Sequence, residues 1–100
     1  MNSITRFLSA TALVASTAAH AAPTNALNAK FGVCFSCHGA QGKAVIPMYP
    51  NLAGQNRQYL AQTLHRFRDG TRPDPVMGPM AKPLSDSDID QIALYFSELR

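Results

Sequence analysis

The two cysteines of the chain, Cys34 and Cys37, stand in the stretch CFSCHG, with His38 directly behind the second. Two thiols and an imidazole within about one helical turn leave three chemistries open: a redox dithiol, part of a zinc site, or covalent attachment of haem. The pair also limits the fold. A disulfide between thiols so close in sequence closes a trivial loop and adds little tertiary stability. Whatever these cysteines do, they do not staple distant parts of the chain together.

The shortage of staples matters because the folded part of the chain is small. The opening MNSITRFLSATALVASTAAHAA has a positive start at the amino terminus and Arg6, an uncharged run from Phe7 to Ala19, and the small-residue sequence Ala19-His20-Ala21. That is the layout of a cleaved secretory signal peptide. The uncharged run is shorter than the ~20 apolar residues a membrane-spanning helix needs, and it is rich in Ala, Ser and Thr. Cleavage is expected after Ala21, which leaves one domain over residues 22–100 in the periplasm. Domains of about 70–80 residues rarely build a sufficient core without a disulfide, metal or cofactor.

Charge excludes one class of partner. The formal charge of the whole chain is +3, and Arg6 would leave with the signal. A nucleic-acid binder needs a concentrated basic face. Arg57, Arg66 and Arg68 fall on one predicted helix, but Arg66 points well away from the other two at ~100° per residue. All three read as solvated side chains.

Periodicity predicts an all-α chain with long ordered loops and about three main helices. The first spans about Asn25 to Ser36, with Leu27, Phe31 and Cys34 near a 3.6-residue spacing. An irregular stretch follows, punctuated by Gly39, Gly42, Pro47, Pro50 and Gly54. The second helix runs from about Asn56 to Asp69, with Leu60, Leu64 and Phe67 on one face and Gly70 as its cap. The next segment, TRPDPVMGPMAKPL, holds Pro73, Pro75, Pro79 and Pro83; no helix is expected there. The third helix starts at Ser85 as N-cap, with Asp88 where a capping-box carboxylate belongs. Ile89, Ile92, Ala93, Phe96 and Leu99 form its apolar stripe.

This frame chooses between the chemistries. A redox dithiol normally follows a buried strand in a βαβ unit, and the sequence offers no convincing strand. A structural zinc site needs about four ligands, which would require His65 beside Cys34, Cys37 and His38. His65 lies about 140° around its helix from the apolar stripe and is expected to face solvent. The third reading needs Cys-x-x-Cys-His, which is present. Each thiol can form a thioether to one haem vinyl group, and the adjacent histidine can reach the iron. The haem, covalently attached, would then supply the missing core.

With that motif the chain resembles the class I c-type cytochromes, of the short bacterial kind that also occurs as tandem two-haem proteins. The resemblance extends through PNLAGQNRQYLAQTLHRFRDGTRPDPVM and MAKPLSDSDIDQIALYFSEL. It implies a small cytochrome c fold of helices and loops around one haem c and its iron. It implies thioethers at Cys34 and Cys37, His38 as proximal iron ligand, and Pro47 as the residue whose carbonyl accepts the other ring N–H of that histidine. The distal ligand would be Met77 or, less favoured, Met80. In the family the ligand precedes the last helix by about eight residues, which fits Met77. Met48 lies too soon after His38 to reach the opposite face. Leu27 stands where related chains often carry a small residue at the crossing of the terminal helices.

The expected function is periplasmic one-electron carriage rather than enzymatic catalysis. The partners would be redox proteins docking transiently at an exposed haem edge. No nucleic acid, no small-molecule substrate and a monomeric state are expected. Alternatives are a haem-bearing subunit of a larger oxidoreductase, or a haem enzyme or sensor with an open iron position. Leu52, Leu64, Met48 and Phe67 are candidate haem-wall residues, and Tyr49, Tyr59, Gln55 and Arg72 are candidates for the propionates. Tyr95 and Phe96 are assigned to packing between the terminal helices.

Overall fold

The computed structural model describes residues 9–16 and 24–100, and within the first helix the side chains from Phe31 onward. Residues 9–16 are exposed and without regular structure. The expected cleavage point after Ala21 lies outside the described residues, as does the side chain of Leu27. Four helices and their connecting loops make up residues 24–100: α1 Thr24–His38, α2 Arg57–Asp69, α3 Met77–Ala81 and α4 Asp86–Glu98. There is no strand among the described residues.

Local signals explain three of the four helices. α1 carries the cysteine motif to its last residue, His38. Gly39 then ends it with φ 81°, its N–H bonded to Phe35 O at 2.9 Å. This is the left-handed cap that glycine adopts at little cost. α2 starts where the Asn56 side chain accepts Tyr59 N–H and stops at Gly70 in the left-handed region. α4 starts with a complete capping box. Ser85 Oγ accepts Asp88 N–H at 3.1 Å, and Asp88 Oδ2 accepts Ser85 N–H at 3.0 Å.

α3 departs from the expectation that so proline-rich a segment holds no helix. It forms because Pro79 occupies the third position of the helix, where an N–H has no partner to lose. Asp74 starts the turn: its Oδ1 accepts the N–H groups of Val76 and Met77 at 2.8 and 2.7 Å. Those two bonds hold the Asp74 carboxyl below its ordinary range.

The core lies where α1, α2 and α4 meet. Phe31, Leu60, Ile92, Ala93 and Phe96 form one buried cluster, with Leu52, Leu64, Leu84 and Leu99 packed partly buried around it. Burial of each large side chain contributes about 1.5–3 kcal/mol. Phe35 of α1 packs against Tyr95 and Phe96 of α4, with ring centroids 5.3 and 6.1 Å apart. Tyr95 also donates its hydroxyl to Ala40 O, which fastens α4 to the loop after the cysteine motif. The packing role expected for both aromatics is met.

The long loop between α1 and α2 is tied at Gly42. Its carbonyl accepts both Leu52 N–H at 2.8 Å and Ala53 N–H at 3.0 Å, and Ala44 N–H reaches Asn51 Oδ1 at 2.7 Å. Gly42 has φ 70°, and a Cβ there would lie 2.7 Å from Ala53 N and 2.9 Å from Ala53 Cβ. Both the backbone angle and the space therefore require glycine.

Two substitutions test these local accounts in urea unfolding of the haem-loaded protein. Ser85→Ala removes one half of the capping box and is expected to cost about 1 kcal/mol. Gly42→Ala combines a strained φ with contact against backbone and is expected to cost about 2 kcal/mol or more. A Gly42→Ala protein as stable as the parent would show that the tie is dispensable.

Candidate cofactor site

The end of α1 brings three donors together. Cys34 and Cys37 lie one turn apart, both half-buried and both free thiols. Burial pushes the Cys34 thiol above its ordinary value. Cys34 thus lacks the lowered value that marks a reactive redox thiol. Among the described residues, no group of three or more His, Cys, Asp or Glu side chains is arranged to hold a metal ion.

His38 follows at the last position of α1 and is buried, 7% exposed. Its Nδ1 lies 2.9 Å from Pro50 O. A carbonyl can only accept, so Nδ1 carries the proton, and Nε2 of the neutral ring keeps a free lone pair. This is the arrangement that orients an imidazole for a metal and raises its basicity. The partner is Pro50 and not Pro47, which corrects the expectation. Pro47 sits in an exposed turn closed by Tyr49 N–H to Ile46 O, beside Val45 and Met48, which are 92% and 77% exposed. The Gly42 tie then turns the chain back, so the carbonyl that returns to His38 is the one just ahead of Asn51 and Leu52. The prolines are equivalent by composition; only the bonds of the neighbouring residues distinguish them.

The methionines separate by burial. Met77 is half-buried at the first position of α3, its backbone fixed by Asp74. Met80 is 43% exposed and Met48 77% exposed. Of the expected wall residues, Leu52 and Leu64 pack on the core cluster, Phe67 is half-buried, and Met48 turns outward. Tyr49 lies beside the His38 ring with centroids 6.4 Å apart. Tyr59 and Gln55 are exposed, and Gln55 Oε1 accepts Asn56 N–H. The guanidinium of Arg72 stacks on Phe67 at 4.9 Å.

Two further residues depart from expectation. His65 does not simply face solvent: its Nδ1 lies 3.0 Å from an Arg68 nitrogen. Arg68 is not a solvated side chain either. It joins α2 to Leu84 O and to Asp86 at the start of α4. Angular position on a helix separates core from surface but does not reveal what a neighbouring loop brings alongside.

The residues fit a haem. The thiols, the free Nε2 and the half-buried Met77 are the donor set that such a group requires. The apolar side chains around the cluster, Cys34, Leu52, Leu64 and Leu84 among them, remain partly exposed, and an apolar disc could cover them.

Comparison with known proteins agrees. Residues 26–100 match the family model for cytochrome c. Cytochrome c-554(548) of Halomonas halodenitrificans is 46% identical over 71 residues, covering 68% of this chain and 86% of the relative. The thiosulfate dehydrogenase electron acceptor of Thiomonas intermedia is 47% identical over 68 residues, 67% of this chain and 31% of the relative. The cytochrome c4 structure of Acidithiobacillus ferrooxidans superposes with a TM-score of 0.62 at 38% identity, covering 66% of this chain and 38% of that one. The chain thus spans most of the first relative and between about 30 and 40% of the other two. It belongs to the cytochrome c family of electron carriers, an all-α fold whose cofactor is covalently bound haem c with its iron.

Proposed function

We propose that the protein is a periplasmic one-electron carrier in which Cys34 and Cys37 hold the haem, His38 is the proximal ligand and Met77 the distal ligand. The observation that carries this reading is the bond from His38 Nδ1 to Pro50 O, which leaves Nε2 free and aimed by its own second nitrogen. Haem c supplies a couple between ferric and ferrous iron. The chain's own residues set its conditions. Pro50 fixes the orientation of the His38 ring. A thioether from Met77 favours the ferrous state and raises the potential. Prolines at 73, 75 and 79 restrict the backbone on both sides of Met77, so little entropy is lost when its segment is fixed.

The signal-like layout of residues 1–21, a positive start, an uncharged run and Ala19-His20-Ala21, supports a periplasmic location. Among the described residues, no helix is long and apolar enough to cross a membrane. Redox proteins are the partners, met through small transient interfaces by a monomer. The name of the Thiomonas intermedia relative, an electron acceptor of thiosulfate dehydrogenase, favours a second form of the same reading, in which the carrier serves one dehydrogenase. Neither form makes the chain an enzyme.

Two methionine variants test the assignment. Met77→Ala is expected to abolish the far-red sulfur-to-iron band of the ferric protein, lower its potential and open the reduced iron to carbon monoxide. Met80→Ala is expected to keep the band and lose only some stability, because Met80 is more exposed than Met77, at 43%. The reverse pattern would refute the assignment. Carbon monoxide binding by the unaltered reduced protein would favour an open-site haem enzyme or sensor instead.

A further inference from the structure

The segment from Asp74 to Leu84 carries Met77 and is bonded mainly to itself. Gly78 N–H goes to Asp74 O, Met80 N–H to Val76 O, Lys82 N–H to Gly78 O and Leu84 N–H to Ala81 O. The Asp74 side chain serves Val76 and Met77. Among the described residues, one hydrogen bond joins this segment to the rest of the molecule: Arg68 Nη1 donates to Leu84 O at 3.1 Å. Beyond that bond the segment is held by packing, chiefly of Ala81, which is fully buried, and Leu84.

Arg68 is built to bear on that point. Its Nη2 lies 2.7 Å from Asp86 Oδ1 and 3.0 Å from His65 Nδ1, and its Nε lies 3.8 Å from Asp69. Guanidinium only donates, so His65 Nδ1 is the acceptor. The side chain is 24% exposed. The Asp86 carboxyl is held below its ordinary range, first by its bond to Arg68 and then by that residue's charge. Asp86 and His65 thus meet Nη2 and the Asp69 carboxylate lies beside Nε, while Nη1 meets Leu84 O. A fork held on several sides is more rigid than an ammonium on a flexible stem.

We propose that Arg68 is a positioning residue for the distal ligand: it latches the Asp74–Leu84 segment closed and so sets how long Met77 stays on the iron. This rests on the reading of Met77 as that ligand. Removing the latch leaves α3 folded around its own bonds but lets the whole segment swing more often, so an outside ligand competes with Met77 more successfully.

The test is imidazole binding to the ferric, haem-loaded protein, followed by loss of the far-red band, with hydrogen exchange at the amides of Gly78, Met80 and Lys82. Arg68→Met keeps the length and apolar stem but removes every donor. It is expected to raise the apparent affinity for imidazole about tenfold, equivalent to ~1.4 kcal/mol, and to speed exchange at those amides by a similar factor. Arg68→Lys, which also serves if Arg68→Met does not fold, is expected to recover part of the effect. Arg66→Met, on the exposed side of α2, is expected to leave both readings unchanged. Imidazole affinity and exchange within about twofold of the unaltered protein would overturn the proposal, even if the unfolding midpoint falls, because that is what a merely structural role predicts. Absence of the far-red band in the unaltered protein would refute the Met77 reading alone. Exchange at the three amides then decides whether Arg68 latches the segment.

Discussion

The apolar core of this chain is too small for the structure built around it. Among the described residues, Phe31, Leu60, Ala81, Ile89, Ile92, Ala93 and Phe96 are the buried apolar side chains, and two of the seven are alanines. A domain of this size sits near the limit at which burial offsets the entropy of ordering its backbone. The side chains that ring the core, Cys34, Leu52, Leu64 and Leu84 among them, are left half-covered. The family's covalently bound haem resolves the shortage. It brings apolar area that the sequence lacks, and its attachment prevents its loss. Fold and cofactor are one energetic unit, which is why a cytochrome c can be so short.

A chain of local devices connects this constraint to the iron. Gly42 can take φ 70° and lie against Ala53, so its carbonyl gathers Leu52 and Ala53. That tie returns Pro50 to the end of α1, where its carbonyl accepts the hydrogen bond of His38 Nδ1–H. The tautomer of the ring therefore depends on a glycine four residues beyond it. On the other side, Asp74 starts α3 at Met77 while Arg68 reaches from α2 to the far end of the same segment. His38 and Met77, the two proposed ligands, stand at helix ends, and both are placed by hydrogen bonds from outside their own helices.

Some of this is legible in the residues and some is not. Gly70 and Ser85 announce their helix boundaries because capping is a contact between residues close in sequence. The stripe from Ile89 to Phe96 announces its buried face by period. The cysteine pair with His38 announces its chemistry because the motif itself fits inside one turn. Pro50 and Pro47 are not separable in the sequence, because the choice depends on where a loop folds back, and the bonds that decide it run from Gly42 to residues ten and eleven further on. α3 is not legible from proline content, because a proline at the third position of a helix loses no hydrogen bond. The role of Arg68 is not legible either, because helical angle says nothing of Leu84 and Asp86, which arrive from another part of the chain.

The claim that the cofactor is the core is tested most directly by the chain without it. The measurement is thermal unfolding of a Cys34→Ala, Cys37→Ala protein free of haem, followed by circular dichroism. The account predicts little helix at room temperature and no cooperative transition, or loss of the protein by proteolysis after export. A sharp, cooperative transition from a helical haem-free state would contradict it.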